Sequence, residues 1–583
     1  MPLLFNKENK WLYLIVLGGF ILRIIALPFA QVVDADATTR IFIAENWLDN
    51  PHLISDGVWP PLHFYFNAIA IAIFGEHITG PILFHIILAC ATAIPIYNFT
   101  KREFSDKGAW FAAAFYLLCP VVFRNSFHTL SGLPHAFFIA LALNYISKSI
   151  RYKDYNQAVY AGLAMTVASG FRYEAWLLIA LFTGMYLLFK EWKYTIYFWC
   201  ASMIFPFFWM IGNYIGHGDI LYGLSGAYHW NIVMEGVNDH VEKVDLIKRI
   251  IYFPLSWFFL FSPILVGLVG WKIFKRIKHR ELVRSRLIWS IPFWVVFLVF
   301  IYKAFEGTLL LQHRFTISLI LLSAPFTAII FEEVKWNNLK KTGVALLLVS
   351  LIPMSYVWMK LPIEKLFKFS YSLNTAFGET RATSQDTFGA IPRLNDQDYA
   401  NFSKEINKEI KENSGVILDF VSWDKTFFLA LNTGLDPKQI FIVDGAKNGQ
   451  VYYKELRKRL ENYPEGIIML KCYSKFSEDY SITGDLLTFH KLERPISLKI
   501  EKLGGKLGVS IFKYKIDSWA IFSECNNCLE CPELNSLEYY MMVIQDNGPW
   551  MNDIKRKARE NSISIEEQLK QDAQWMVDNP PNE

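Results

Sequence analysis

The chain has 583 residues, of which 53% are hydrophobic and 16% aromatic, and its mean hydropathy is +0.22. That is too apolar for a soluble enzyme of this size and points to a protein with many membrane spans. A formal net charge of +4 gives no reason to invoke nucleic acid, so the distribution of charge carries the information.

The first apolar run, 11–30, follows Lys7 and Lys10, contains Arg23 and lacks a small-x-small cleavage site. It reads as a retained helix and not as a removed signal peptide. Val33 to Tyr65 then gathers Asp34, Asp36, Glu45, Arg40, a Trp-Pro-Pro turn and His63 into a loop at one membrane face. A carboxylate there is either a solvated loop charge or a functional acid. The apolar run 60–75 opens with Pro60-Pro61, is short, and reads as an interfacial helix.

Further spans are expected at 78–100, 108–123, 132–150, 156–171, 173–190, 194–214, 250–272, 287–304, 308–332 and 341–360, about eleven with the first. The segments ending at Gly170 and starting after Arg172 are alternatively one kinked element. Lys and Arg concentrate on one side: Lys7/Lys10, Lys101/Arg102/Lys107, Lys148/Arg151/Lys153, Lys190/Lys193, the run Lys272 to Arg286, and Lys335/Lys340/Lys341. The other side holds scattered cations (Arg40, Arg124, Arg172, Lys243/Lys248/Arg249, Lys303, Arg314). The N-terminus is therefore expected in the cytoplasm and loop 31–59 outside. With an odd number of spans the C-terminal region is extracytoplasmic too, in a plasma (inner) membrane protein.

After Leu361 the pattern changes. GVILDF (415–420), a helical run from Trp423 to Leu435, IFIVDG (440–445), an amphipathic 451–462 and GIIMLK (466–471) alternate strand and helix at the spacing of βα units. Residues 486–516 add two or three strands broken by glycines. No phosphate-cradling glycine pattern follows a strand. The segment 533–579 is charged and helical, with Ser562 and Ser564 marking a helix start. The expected fold is thus a multi-span α-helical membrane protein (1–360), a soluble α/β domain (361–520), and a cysteine-containing segment with a helical tail (521–583). Cys525, Cys528 and Cys531 form CxxCxxC. They read either as disulfide partners, with Cys472 making the number even, or as ligands of a zinc or iron–sulfur site.

The outward helix ends carry polar residues that a bilayer does not require: Arg124-Asn125 and His128, Ser131 and His135, Arg172-Tyr173-Glu174, and His313-Arg314. Singly, each is an ordinary interfacial residue. Jointly they place carboxylates and arginines around an apolar interior, the arrangement a lipid-linked anionic substrate needs. Its tail requires an apolar groove, its phosphate requires Arg, and an acceptor hydroxyl requires a carboxylate base.

The first loop opening with Asp34-Ala-Asp36 resembles the GT-C superfamily of membrane glycosyltransferases. Trp59-Pro60-Pro61-Leu62-His63 before an interfacial helix, Ser131-Gly-Leu-Pro134 opening a span and Arg172-Tyr-Glu174 between two spans share that resemblance. Within the superfamily, residues 10–360 resemble protein O-mannosyltransferases and polyprenyl-phosphate-sugar transferases. The resemblance implies transfer of a sugar from a polyprenyl-phosphate donor to a lipid, glycan or protein acceptor, with inversion at the anomeric carbon. It implies an acid at Asp34 or Asp36 as the base, since the family's Asp-Glu is here Asp-Ala-Asp. Arg40, His63, Arg124, His128, Arg172, Glu174, His313 and Arg314 would bind substrate, the arginines holding the phosphate. No cofactor is expected; a divalent metal at Asp34/Asp36 belongs to the alternative, an oligosaccharyltransferase, whose Trp-Trp-Asp-Tyr-Gly signature is missing after the membrane segments. A transporter, the non-enzyme alternative, predicts mid-span charges and an inverted repeat, and the charges cluster instead at one face.

Overall fold

The computed structural model describes residues 10–27, 35–75, 78–235, 243–279, 284–331, 343–344 and 347. In the second half it describes 396–411, 413–419, 423–443, 449–472, 474, 476, 479–489, 496–506, 508–517, 536–546, 548–561 and 563–578. Asp34, the CxxCxxC cysteines and nearly all of the expected 341–360 span lie outside the described residues. The chain divides into two compact units, one comprising Met1–Val32 with Trp47–Gly378, the other Val33–Asn46 with Glu379–Glu583.

The first unit is helical. α1 (Lys10–Ala26) exposes Leu14, Leu17, Ile21 and Ile25 and buries Leu12, Gly19, Arg23 and Ala26. Apolar residues that face outward at helical spacing are what lipid as a solvent demands. α3 (Leu62–Phe74) is the short helix expected after the double proline. α4 (Thr79–Glu103), α7 (Gly132–Tyr152), α8 (Tyr155–Ser169) and α9 (Glu174–Leu188) follow as expected, with α8 and α9 as two elements joined by a turn.

Three expected single helices are broken, each for a visible reason. Cys119 is extended and Pro120 cannot donate to the ladder, so 108–123 becomes α5 (Ala109–Leu118) and α6 (Pro120–Asn125). The 194–214 run divides at Met203 into α10 (Trp192–Ser202) and α11 (Ile204–His217), bent by 41°. The 250–272 run lies across α13 (Lys243–Phe261) and α14 (Pro263–Lys278), which turn through 90° where Ser262 adopts φ 78° before Pro263. α12 (Tyr222–Glu235) was not expected. α15 (Arg284–Phe305) and a mixed helix His313–Phe331, containing α16 (Ile317–Ser323), complete the described unit.

By length and composition, three described helices can cross a membrane: Thr79–Glu103, Arg284–Phe305 and His313–Phe331. Counting each bent pair as one crossing raises that to five, against the eleven read from the sequence. Part of the difference comes from the breaks above and from short apolar helices such as Ala109–Leu118 and Glu174–Leu188, and the expected 341–360 span lies almost wholly outside the described residues that the count covers.

The second unit contains a mixed seven-stranded sheet of order β2-β1-β3-β7-β6-β5-β4. β1 (Gly415–Asp419), β2 (Ile440–Val443) and β3 (Glu465–Lys471) are parallel; β4 (Tyr480–Thr483), β5 (Leu486–Phe489), β6 (Ile496–Lys506) and β7 (Val509–Asp517) extend the sheet antiparallel. β4 and the helix Asp396–Glu409 escaped the sequence reading. Three helices at Leu537–Asp546, Gly548–Glu560 and Ile565–Asp578 form the tail around a core of Tyr540, Ile544, Ile554 and Leu569. The last opens as expected, with the Ser564 hydroxyl accepting from the amide of Glu567 at 3.0 Å. Cys472, buried after β3, is disulfide-bonded.

Residues 33–46 group with this second unit. The stretch expected as a loop forms α2 (Ala35–Asp49), with Asp36 in its first turn, where a carboxylate suits the helix dipole. Phe42 meets Phe427 of the helix Trp423–Asn432 edge to face, with ring centroids 5.5 Å apart.

Candidate active site

Two turns of the first unit are tied together before any functional group is considered. The Trp-Pro-Pro turn docks on the α8–α9 turn, where the Leu62 amide donates to the Gly170 carbonyl at 3.0 Å. Tyr173 donates to the Val58 carbonyl at 3.2 Å and accepts from the Trp209 indole at 2.9 Å. The Gly57 amide donates to the Asn213 side chain at 2.9 Å, and His217 lies 3.1 Å from Asp56. This close seating needs a residue without a side chain at 223, because a Cβ there would stand 1.9 Å from the Tyr173 hydroxyl and 2.6 Å from the Gly57 carbonyl. The sequence 55–63 is therefore a strap that presents Trp59 and His63 from a fixed position. Trp59 and His63 pack ring to ring at 6.2 Å.

Arg172 and Glu174 flank the strap's anchor. The Arg172 Nε donates to both Glu174 oxygens at 3.1 Å, and Nη2 donates to one of them at 2.5 Å. The Arg172 guanidinium lies 4.9 Å from the centre of the Phe315 ring, and that of Arg314 lies 5.6 Å from the same ring. One aromatic ring thus gathers two cations from distant parts of the sequence. His135 sits within electrostatic range of Glu174 and Arg172, and His313 of Arg124. His313 also stacks on Tyr252 at 5.5 Å.

His128, in the turn between α6 and α7, is buried beside Arg124, Arg314 and His85. Burial first, then the neighbouring guanidiniums, hold its imidazole well below the ordinary histidine range, so it is neutral at physiological pH. Among the described residues, His128 and His135 have no hydrogen-bond partner on either ring nitrogen, and neither does the side chain of Asn67, one turn along α3 from His63. Buried polar groups without a protein partner are costly.

Seven of the ten residues singled out in the sequence (His63, Arg124, His128, Arg172, Glu174, His313 and Arg314) lie in the first unit. Asp36 and Arg40 lie on α2 within the second unit, one turn apart, Asp36 half-buried and Arg40 buried. Asp34 is outside the described residues. Among those described, no group of three or more His, Cys, Asp or Glu could hold a metal ion. The sequence reading passed over Asn67, Gln312 and two groups inside apolar runs. Those two are His85, whose ring nitrogens lie 2.8 Å from the Pro81 carbonyl and 3.2 Å from that of Leu130, and Arg23. A lone charge or imidazole inside an apolar run was the available signal.

Residues 58–211 match the family model of dolichyl-phosphate-mannose-protein mannosyltransferases. That interval contains the Trp-Pro-Pro-Leu-His strap, Arg124, His128 and Arg172-Tyr-Glu174. The fold matches that of ArnT from Cupriavidus metallidurans bound to undecaprenyl phosphate, with a TM-score of 0.57 and 10% identity, over 87% of this chain and 98% of that one. The chain has the fold of that ArnT. The apo form of the same ArnT matches with a TM-score of 0.54 and 12% identity over the same shares. The chain is also similar to the oligosaccharyltransferase of Archaeoglobus fulgidus, at a TM-score of 0.42 and 12% identity, over 80% of this chain and 69% of that one; at that score the likeness carries no argument. No curated protein matches the sequence. The resemblance read from the motifs is thus borne out for the fold, and the family match over residues 58–211 covers several of the motifs that carried it.

Proposed function

We propose that this protein is a glycosyltransferase that moves a sugar from a polyprenyl-phosphate donor to a lipid, glycan or protein acceptor outside the cytoplasmic face, with inversion. The observation that carries the reading is the grouping of Arg172 and Arg314 on the Phe315 ring, together with the Arg124–His128 cluster and its open imidazole. Such a site offers guanidinium forks to an anion and neutral donors to a sugar. The undecaprenyl phosphate bound to ArnT supports a lipid phosphate as that anion, and the mannosyltransferase family name makes a mannosyl donor the first to try.

In this mechanism Arg172, Arg314 and Arg124 hold the donor phosphate. His63, His128 and His313 orient the sugar, and Glu174 fixes the Arg172 fork. Asp34 takes the proton of the acceptor hydroxyl as its oxygen bonds to the anomeric carbon. The bond from that carbon to the phosphate oxygen breaks on the opposite face, and polyprenyl phosphate leaves as an anion. Asp36, one turn before Arg40 on α2, orients that arginine. A monophosphate leaving group carries less charge to neutralise than a pyrophosphate, so in this mechanism guanidiniums suffice without a metal. Cytoplasmic Lys and Arg loops and the Cys472 disulfide favour an inner-membrane protein with its N-terminus in the cytoplasm and its α/β domain outside. Mass spectrometry of lipid-linked sugars and surface glycans, in cells with and without the gene, tests the reading. A donor that accumulates as a glycan disappears supports it, and unchanged pools of both overturn it.

A further inference from the structure

Arg23 is a guanidinium inside the first apolar helix, fully buried, and among the described residues no carboxylate stands in hydrogen-bond contact with it. A charge in such a place is expensive and is kept where it does something. Its Nε donates to the Ser126 hydroxyl at 2.8 Å, its Nη2 to the Leu117 carbonyl at 2.9 Å and its Nη1 to the Gly19 carbonyl at 3.1 Å. The guanidinium also lies 4.9 Å from the centre of the Phe123 ring.

These contacts straddle one feature. Leu117 belongs to the last turn of α5, whose carbonyls lose their helical partners where Cys119 turns extended and Pro120 begins α6. Ser126 follows α6 directly, and its hydroxyl donates back to the Val122 carbonyl at 2.8 Å. Arg23 therefore bridges the two sides of the break and sets the pitch of α6 against α5. The helix so held ends in Arg124-Asn125, and the turn after it carries His128. α1 and α5 pack closely here: a Cβ at Gly19 would stand 2.9 Å from the end of the Leu117 side chain.

We propose that Arg23 is a positioning residue for donor binding, acting through the α5–α6 break and Ser126 to hold Arg124. The inference rests on the reading of Arg124 as a phosphate contact. Donor KM and kcat are measured for Ser126→Ala, Arg23→Lys and Arg124→Ala, alongside binding of undecaprenyl phosphate itself in detergent. Ser126→Ala keeps the guanidinium on two carbonyls, so it folds even if Arg23→Lys does not. It should raise donor KM roughly tenfold, as small misplacements do, with kcat nearly unchanged and undecaprenyl-phosphate binding weakened in parallel. In the Arg124→Ala background the same change should add nothing, which a merely structural role would not produce. If Arg124→Ala binds undecaprenyl phosphate like wild type, the phosphate reading fails and this inference with it. If Arg124→Ala weakens binding but Ser126→Ala does not, or adds its full effect on top of Arg124→Ala, Arg23 is overturned as a positioning residue while the phosphate reading stands.

Discussion

Arg172 is the residue whose loss should be felt twice. Its guanidinium meets Glu174 at 2.5–3.1 Å and, in the proposed mechanism, also holds the donor phosphate. Arg172→Ala removes a charge-assisted bond to phosphate, a loss of about 1.5–3 kcal/mol. It also leaves the Glu174 carboxylate, only 23% exposed, facing the incoming anion without its counter-ion. Two unit charges about 7 Å apart at an effective dielectric near 20 repel by roughly 2 kcal/mol, less with partial solvent screening. The sum is about 2.5–5 kcal/mol, or roughly 10²- to 10⁴-fold in donor affinity. Replacing Glu174 by Gln in the Arg172→Ala protein removes the repulsion alone and should recover about five- to thirtyfold. Arg172→Lys should restore only part, because an ammonium cannot form the fork. The assay is equilibrium binding of a polyprenyl-phosphate sugar to purified protein in detergent. Wild-type affinity in Arg172→Ala, or no recovery on adding Glu174→Gln, would mean that the pair is an interfacial anchor and not a phosphate site.

Three further outcomes follow from the same geometry. His128 resists protonation in the fold but not in the unfolded chain, so stability present above pH 6.5 should be lost as pH falls below it. The loss is about 1.4 kcal/mol per pH unit, and thermal denaturation of His128→Gln between pH 7 and 5 should show a shallower acid slope. Gly223→Ala must displace either the Gly57 carbonyl or Tyr173, and should lower stability by roughly 1–3 kcal/mol and loosen the strap, seen as a lower Tm with a raised donor KM. Phe427→Ala removes the ring against Phe42 and should speed amide exchange across residues 37–44 about tenfold, following the energy of an aromatic pair; unchanged exchange would mean α2 is held by other contacts.

What the sequence revealed and what it hid divide along physical lines. Helix faces and strand patterns are local, so α1, α4, α7 and β1 to β3 were legible. The arginines were legible too, because a cation at the end of an apolar helix stands out against its neighbours. Breaks were not legible where the cause is tertiary: Ser262 takes φ 78° and the chain turns 90° in a run that hydropathy alone treats as one helix. Residues 35–49 read as a loop because their charges masked a helix whose residues 37–42 are all buried. Arg23 was visible as a letter but not as a brace, since its partners lie about a hundred residues away. The seating of Arg172 on Phe315, the residue next to Arg314 in sequence, is likewise a property of packing and not of spacing.

In the proposed reaction the bond between a sugar and a polyprenyl phosphate breaks with a carboxylate of the first outer segment as base. This is tested most directly by supplying purified polyprenyl-phosphate sugars to wild type, Asp34→Asn and Asp36→Asn in detergent, with and without EDTA, and measuring released polyprenyl phosphate. The account predicts release by wild type in EDTA, a fall of roughly 10²- to 10⁴-fold in Asp34→Asn with donor binding retained, and a smaller effect in Asp36→Asn. Full activity in Asp34→Asn would contradict it, as would abolition by EDTA with both variants equally inactive.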